Sequence, residues 1–284
     1  MLTVCYDLAK CPPTYDFVGF LLWAEHERRV RGDEDLAIHV LPGPAFGFRD
    51  DKLPPSIEER RRMLSEIVLP MTWLLPSCRS VTNHPERPPA REGELGRDRR
   101  QYGTRLMLSM LAKGIAPLVA PEPKRRAEPY RRYVTITLRE APYWPTRNAN
   151  LAEWLAVAAW LAGNGVTPVF VRDTAKAGEA MPYEQSEAAA RFLVERANLY
   201  AGAALNLFVN NGPAWMCMAM GLPLLMTKMI APDAPCANAE FFAACGLKPG
   251  SQIPGARSSQ RILWEDDSAD AIIPALEAML ERAA

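Results

Sequence analysis

Absences narrow the reading of this 284-residue chain first. Its six cysteines, Cys5, Cys11, Cys78, Cys217, Cys236 and Cys245, form no C-x-x-C pair, and none of the three histidines stands at metal-ligand spacing. That argues against a zinc site and against a disulfide framework, and makes several cysteines small core residues of a reducing compartment. Net charge is missing too. Thirty-three basic side chains balance 33 acidic ones, so no general attraction to nucleic acid or anionic membrane is expected and a charged ligand has to be held locally. No basic segment leads into a long apolar run at the start, where Asp7, Lys10 and Asp16 interrupt the apolar character. Neither a signal peptide nor a membrane span is expected, and the expected location is the cytoplasm. No G-x-G-x-x-G follows the first apolar run, which disfavours a nicotinamide-dependent dehydrogenase.

What is present is a chain 49% hydrophobic and 23% charged, enough for one large domain or two of ordinary size. In the first part, residues 2–6 and 36–41 read as buried strands. Residues 17–31 read as a helix stopped by Gly32, residues 57–69 and 103–113 as further helices, and residues 80–83 as a short strand. Residues 117–133 then turn proline-rich and basic, the composition of an exposed connector. A boundary between residues 128 and 129 divides the chain into domains 1–128 and 129–284. The second domain alternates strand and helix: strands at 133–138, 166–171, 205–209 and 222–226, and helices at 151–162, 184–200 and just after Gly212. A final helix, 269–282, fits either domain. Asn150 and Glu153 are spaced as a capping box for the first of these helices. This alternation implies an α/β fold with parallel sheets.

In such sheets ligands lie outside the carboxyl ends of the strands, which puts weight on three loops. The run FVNNGPAWMCMAMGLPLL at 208–225 places Asn210, Asn211, Gly212 and Pro213 at the mouth of a helix. Its first amides and dipole suit an anion, although Asn and Gly are also ordinary cap and turn residues. Arg139 and Arg147 flank the loop after strand 133–138, and Lys228 follows strand 222–226; guanidinium forks suit phosphate oxygens. Arg172 and Asp173 end strand 166–171, where a carboxylate could meet a ribose hydroxyl or simply make a turn. Tyr143 and Trp144 could stack on a base or sugar, or pack their loop. His39 reads as a satisfied core residue, His26 as solvated, and His84 as a candidate acceptor contact.

With those residues in view, the segments TITLREAPYWPTRNANLAEWLAVAAWLAGNGVTPVFVRDT and FVNNGPAWMCMAMGLPLL resemble the C-terminal half of GT-B fold glycosyltransferases. The resemblance is nearest to the ADP-heptose lipopolysaccharide heptosyltransferase family, whose donor-diphosphate motif is matched in spacing by Asn211, Gly212, Pro213, Ala219, Gly221 and Pro223. Asn210 or Asn211 stands where that family keeps an acid, and Met216 or a neighbour stands where it keeps a histidine.

The resemblance implies two Rossmann-like domains facing across a cleft, with a nucleotide diphosphate sugar donor bound by the second. It implies a metal-independent transfer to a glycan or lipid-linked acceptor, with no cofactor, no nucleic acid partner, and a peripheral contact at the inner face of the membrane. Asn210, Asn211, Gly212, Pro213, Arg139, Arg147 and Lys228 become diphosphate contacts; Arg172 and Asp173 become nucleoside contacts. Asp16, at the start of helix 17–31, becomes the catalytic base, with Asp7 as an alternative and helix capping as the structural reading of Asp16. A nucleotide-sugar epimerase and a non-catalytic nucleotide-sugar-binding protein remain open on the same fold.

Overall fold

The computed structural model describes residues 1–50, 55–121 and 132–282. Two compact units, Met1–Val119 and Ala120–Ala284, divide the chain. The expected boundary at 128/129 lies outside the described residues.

In the first unit the apolar run Leu2–Asp7 is β1 and the helix Phe17–Arg31 is α1. Gly32 ends α1 at φ 72°, the left-handed conformation a glycine C-cap supplies at little cost. β2 is Leu36–Leu41, α2 is Ile57–Met63, α3 is Leu69–Met71, β3 is Cys78–Asn83 and α4 is Thr104–Ala112. The sequence predicts one helix over 57–69, yet a π-helical turn, Leu64–Val68, separates α2 from α3. Pro70 has no amide to give the carbonyl four residues back, so a regular ladder cannot run through it. The strands pair in parallel in the order β1-β2-β3.

The far side of β1 is occupied by the backbone at Leu95: Cys5 donates to the Leu95 carbonyl at 2.7 Å and Leu95 donates to Thr3 at 3.1 Å. Gly96 makes that approach feasible, because at φ 89° a Cβ there would sit 2.4 Å from the Cys5 carbonyl oxygen. Asp7 locks the same strap. Fully buried, it accepts from both Arg87 nitrogens (2.9 and 2.7 Å), from the Asp98 amide (2.8 Å) and from the Ala9 amide (3.0 Å). Burial opposes its ionisation, but those donors outweigh burial and hold its carboxyl below the usual range. Asp7 as an alternative base is therefore a correction: it is sealed from solvent and all its lone-pair directions are spent.

At the other end of the sheet, α1 carries a second buried carboxylate. Glu25 binds Arg28 (2.8 Å), Arg29 (2.7 Å) and Ser77 (2.7 Å); burial pushes against ionisation, yet these donors bring its pKa down to about 2. A depressed carboxylate stabilises the fold above its unfolded value and loses that contribution as pH falls from about 4.5 toward 2. Glu25→Gln is accordingly expected to cost about 3 kcal/mol at neutral pH and to flatten the acid limb of stability in this window. Chemical denaturation at pH 7 and pH 3 checks it; an equal loss at both would show that charge is not the cause.

The second unit holds the longer alternation. Its elements are β4 Tyr133–Thr137, α5 Leu151–Gly163, β5 Thr167–Val171, β6 Glu184–Gln185, α6 Glu187–Arg191, α7 Leu193–Gly202, β7 Leu205–Val209, α8 Gly212–Ala219, β8 Leu224–Thr227, α9 Ala239–Ala244, β9 Gln260–Ile262 and α10 Ala269–Arg282. Six parallel strands run in the order β6-β5-β4-β7-β8-β9. Trp154, Val157 and Leu161 of α5 and Ile272 and Leu276 of α10 pack with Val134, Ile136, Leu207 and Leu225 of the strands in one core. α10 thus belongs to this unit.

Two local expectations are overturned. Asn150 makes no side-chain cap to α5; its amide donates to Asp267 at 2.6 Å, and Glu153 accepts from Ala269 at 2.7 Å. The supposed capping pair is spent joining α5 to the start of α10. The helix expected at 184–200 is broken into β6, α6 and α7 at Phe192, whose backbone is extended. Arg196 closes the gap by donating to the Ala189 and Ala190 carbonyls at 2.7 and 3.0 Å, satisfying the end of α6.

Candidate functional site

Strand order places the site. From β4 the chain winds to β5 and β6 on one side, then crosses to β7, β8 and β9 on the other. The crevice between the carboxyl ends of β4 and β7 is the switch point where open parallel sheets bind ligands. The loop after β4 supplies Arg139 and Arg147, and the turn after β7 supplies Asn210 to Pro213. Arg147 bridges them, donating to the Asn210 carbonyl at 3.1 Å.

Within the β4 loop, Arg139 is the clamp. It is 7% exposed and donates to the Tyr143 carbonyl (2.8 Å), the Trp144 carbonyl (3.1 Å) and the Asn148 side chain, while Asn148 also ties down both polar atoms of Ala141. Trp144 turns the chain at φ 50°, the left-handed region, and the short helix Pro145–Arg147 follows. The Arg139 guanidinium lies 5.2 Å from the Tyr143 ring centre and that of Arg147 lies 5.9 Å from Trp144, distances of cation–π contact. Tyr143 and Trp144 therefore pack the arginines of their own loop.

Electrostatics single out this loop. Neither arginine has a carboxylate within ion-pair distance among the described residues. Among the described residues Arg147 hydrogen-bonds only to the Asn210 carbonyl and the Cys236 sulfur (3.3 Å), and its buried Nε has no hydrogen-bond partner. Burial, then the charge of Arg147, lowers the pKa of Arg139. An arginine does not release its proton at such a site, so the pair holds unbalanced positive charge that a bound anion would balance.

The helix mouth is more self-sufficient than its sequence suggests. The Asn211 side chain accepts from the Ala214 amide at 3.1 Å. Asn210 accepts from the Trp215 indole at 3.3 Å and donates to the Met229 carbonyl at 3.2 Å. Both amides hold the turn, leaving the half-exposed Gly212 and Pro213 at the opening of α8.

Two other expected contacts are already ion-paired within the fold. Lys228, at φ 52°, gives its ammonium to Asp267 (2.8 Å) and Asp266 (3.2 Å). Arg172, 5% exposed, forms a two-point pair with Glu140 at 2.9 and 2.5 Å. Neither cation carries surplus charge. Asp173 is half-exposed, with one oxygen taking the Glu140 amide at 2.6 Å.

Asp16 is exposed at the start of α1. It does not cap the helix; its carboxylate accepts from Thr14 Oγ1 at 3.0 Å. His84 and His39 face each other at 3.2 Å, and His26 lies 3.2 Å from the Lys113 ammonium. Sequence reasoning missed Asp267, which is 2% exposed and collects the Asn150 amide, the Trp154 indole and Lys228. Its only signal was an Asp-Asp pair in an irregular stretch.

No family model matches the sequence, and no curated protein matches it. Solved structures do. The glycosyl transferase family 9 structure from Veillonella parvula DSM 2008 superposes with a TM-score of 0.52 at 10% identity, covering 99% of this chain and 97% of that one. The fold is that of a family 9 glycosyl transferase. The heptosyltransferase TibC, described as dodecameric, iron-containing and in complex with ADP-D-beta-D-heptose, gives a TM-score of 0.50 at 14% identity, over 99% of this chain and 75% of that one. This family 9 fold accounts for the paired parallel sheets. No helix among the described residues is long and apolar enough to cross a membrane.

Proposed function

We propose that the chain is a glycosyltransferase that moves a sugar from a nucleotide diphosphate sugar to an acceptor hydroxyl, in the synthesis of a cell-surface glycan or lipopolysaccharide. The observation that carries this reading is the Arg139 and Arg147 pair, which has no ion-pair partner among the described residues and is set at the switch point of the second unit's sheet. The diphosphate lies against Arg147 and the opening of α8, where guanidinium donors and helix dipole act together. Asp173 takes a ribose hydroxyl with its remaining oxygen. In the first unit Asp16 accepts the proton of the acceptor hydroxyl as that oxygen attacks the anomeric carbon. The bond from that carbon to the diphosphate breaks, and the charge of the departing nucleotide is met by the arginines, so the reading calls for no metal. The reading also assigns the acceptor to the first unit and the donor to the second.

Thermal-shift measurements with ADP-, UDP-, GDP- and CMP-sugars test it, ADP-heptose first because the TibC complex contains that donor. Ligand at a hundred times Kd stabilises by about 2.7 kcal/mol, and silence across the panel sinks the reading. Asp16→Asn is expected to slow turnover of the donor about 10²-fold with donor affinity unchanged; unaltered turnover removes Asp16 from the mechanism. A donor that binds and is never turned over by the unsubstituted protein would instead support the non-catalytic reading, which the internally satisfied Asn210 and Asn211 favour.

A further inference from the structure

We infer that Phe46 is a sugar-stacking residue of the first unit, presenting its ring to a pyranose of the acceptor; this rests on the transferase reading above. The connection after β2 opens with a miniature hairpin. Ala45 donates to the Phe48 carbonyl at 2.8 Å, Phe48 donates back at 2.9 Å, and Gly43 donates to Gly47 at 2.9 Å. The two central residues, Phe46 and Gly47, have φ of 53° and 93°, the mirror-image turn that normally takes Asn-Gly. A bulky side chain is disfavoured in that conformation. Burial gives nothing back: Phe46 is 77% exposed, while Phe48 two residues on is buried. Local conformation and the hydrophobic effect both argue against phenylalanine here, so its value lies in what the ring meets outside the fold.

Position says what that is. The hairpin stands at the carboxyl edge of β2, and Gly43 is pressed so close to the connection after β1 that a Cβ would lie 2.8 Å from the Leu8 carbonyl. That same connection carries Asp16. Among the described residues of the β1–α1 and β2–α2 loops, Phe46 is the only large exposed apolar side chain. One isolated ring is a poor membrane anchor. It suits the apolar C–H face of one sugar ring, whose partly positive hydrogens meet the negative face of the aromatic.

The test uses Phe46→Asn, which installs the residue the turn prefers and is expected to leave the melting temperature equal or higher, and Phe46→Tyr, which keeps the ring. Saturation-transfer NMR is run with deacylated lipopolysaccharide core oligosaccharide and with methyl glycosides of common hexoses. Saturation of sugar C–H protons is expected with the unsubstituted protein and with Phe46→Tyr, with affinity lowered about tenfold or more in Phe46→Asn. Undiminished saturation in Phe46→Asn, or none with the unsubstituted protein, overturns the inference. So does binding to phosphatidylethanolamine and phosphatidylglycerol vesicles that disappears in Phe46→Asn, since the ring would then serve a lipid surface. The nucleotide-sugar thermal shift, read on all three proteins, is expected to be unchanged. Its presence beside a failed sugar test would sink only Phe46, whereas its absence would sink the transferase reading itself.

Discussion

Replacing Arg147 with methionine is expected to weaken binding of a nucleotide diphosphate sugar about 10²-fold, and replacing Arg139 as well to carry the loss beyond about 10³-fold, at roughly 1.5–3 kcal/mol for each charged hydrogen bond lost. The direction follows from how little Arg147 does for the empty protein. It touches a carbonyl and a thiol, leaves Nε unpartnered and raises the cost of a charged Arg139 beside it. Taking it away relieves that repulsion, so the melting temperature of the ligand-free protein is expected to fall only slightly. Arg172→Met makes the contrast. That guanidinium is paired with Glu140, so its loss leaves a nearly buried carboxylate with only the longer Lys176 pair at 3.7 Å and is expected to lower stability while leaving donor affinity within severalfold. Isothermal titration and thermal melts on these variants separate the two kinds of arginine. Equal affinity losses for Arg147→Met and Arg172→Met would mean that the site is not organised by the unbalanced pair.

Asp7→Ala is expected to destabilise the first unit by about 3–5 kcal/mol, the cost of breaking a buried ion pair by removing one partner. The carboxylate is 0% exposed and gathers Arg87 twice together with two backbone amides from different segments. Its deletion removes four hydrogen bonds and frees the strap that runs beside β1. Asp7→Asn keeps the volume and part of the hydrogen bonding, so it is expected to fall between the two. Urea unfolding at neutral pH gives the measurement, and nucleotide-sugar affinity of the second unit serves as the control expected not to move. A change below about 0.5 kcal/mol, the scale of a surface substitution, would mean that the network is not supporting the strap.

What could be read in advance divides by range of interaction. β1, α1, β2, β7 and α10 were visible because each is a periodic apolar segment bounded by a local stop such as Gly32. The place of the Arg139 and Arg147 loop at the carboxyl edge of the sheet could be read because strand alternation alone puts it there. The errors lie where distant residues decide. The break at Phe192 depends on Arg196 reaching back to α6, and a helical pattern cannot reveal that. The spacing of Asn150 and Glu153 mimics a capping box, but partners more than 110 positions away, Asp267 and Ala269, claim both residues. Lys228 looked like an available cation only because Asp266 and Asp267 come 38 and 39 positions later. Composition reports how many charges there are, and only the fold reports which are already spent.

The three-stranded sheet of the first unit also bears on how copies of this chain avoid one another. The strap at Leu95 covers the β1 side, and among the described residues no strand pairs with the outer side of β3. An open edge invites another strand to add on, the first step toward fibrillar association. Here Arg79, Ser80, Thr82 and Asn83 line it, and Arg79 is tied to Asp35 at 2.7 Å, fixing a charged side chain on that border. The edge is kept unattractive by charge and polarity instead of by cover, so apolar substitutions at Ser80 or Thr82, harmless to the monomer's packing, are where self-association would begin.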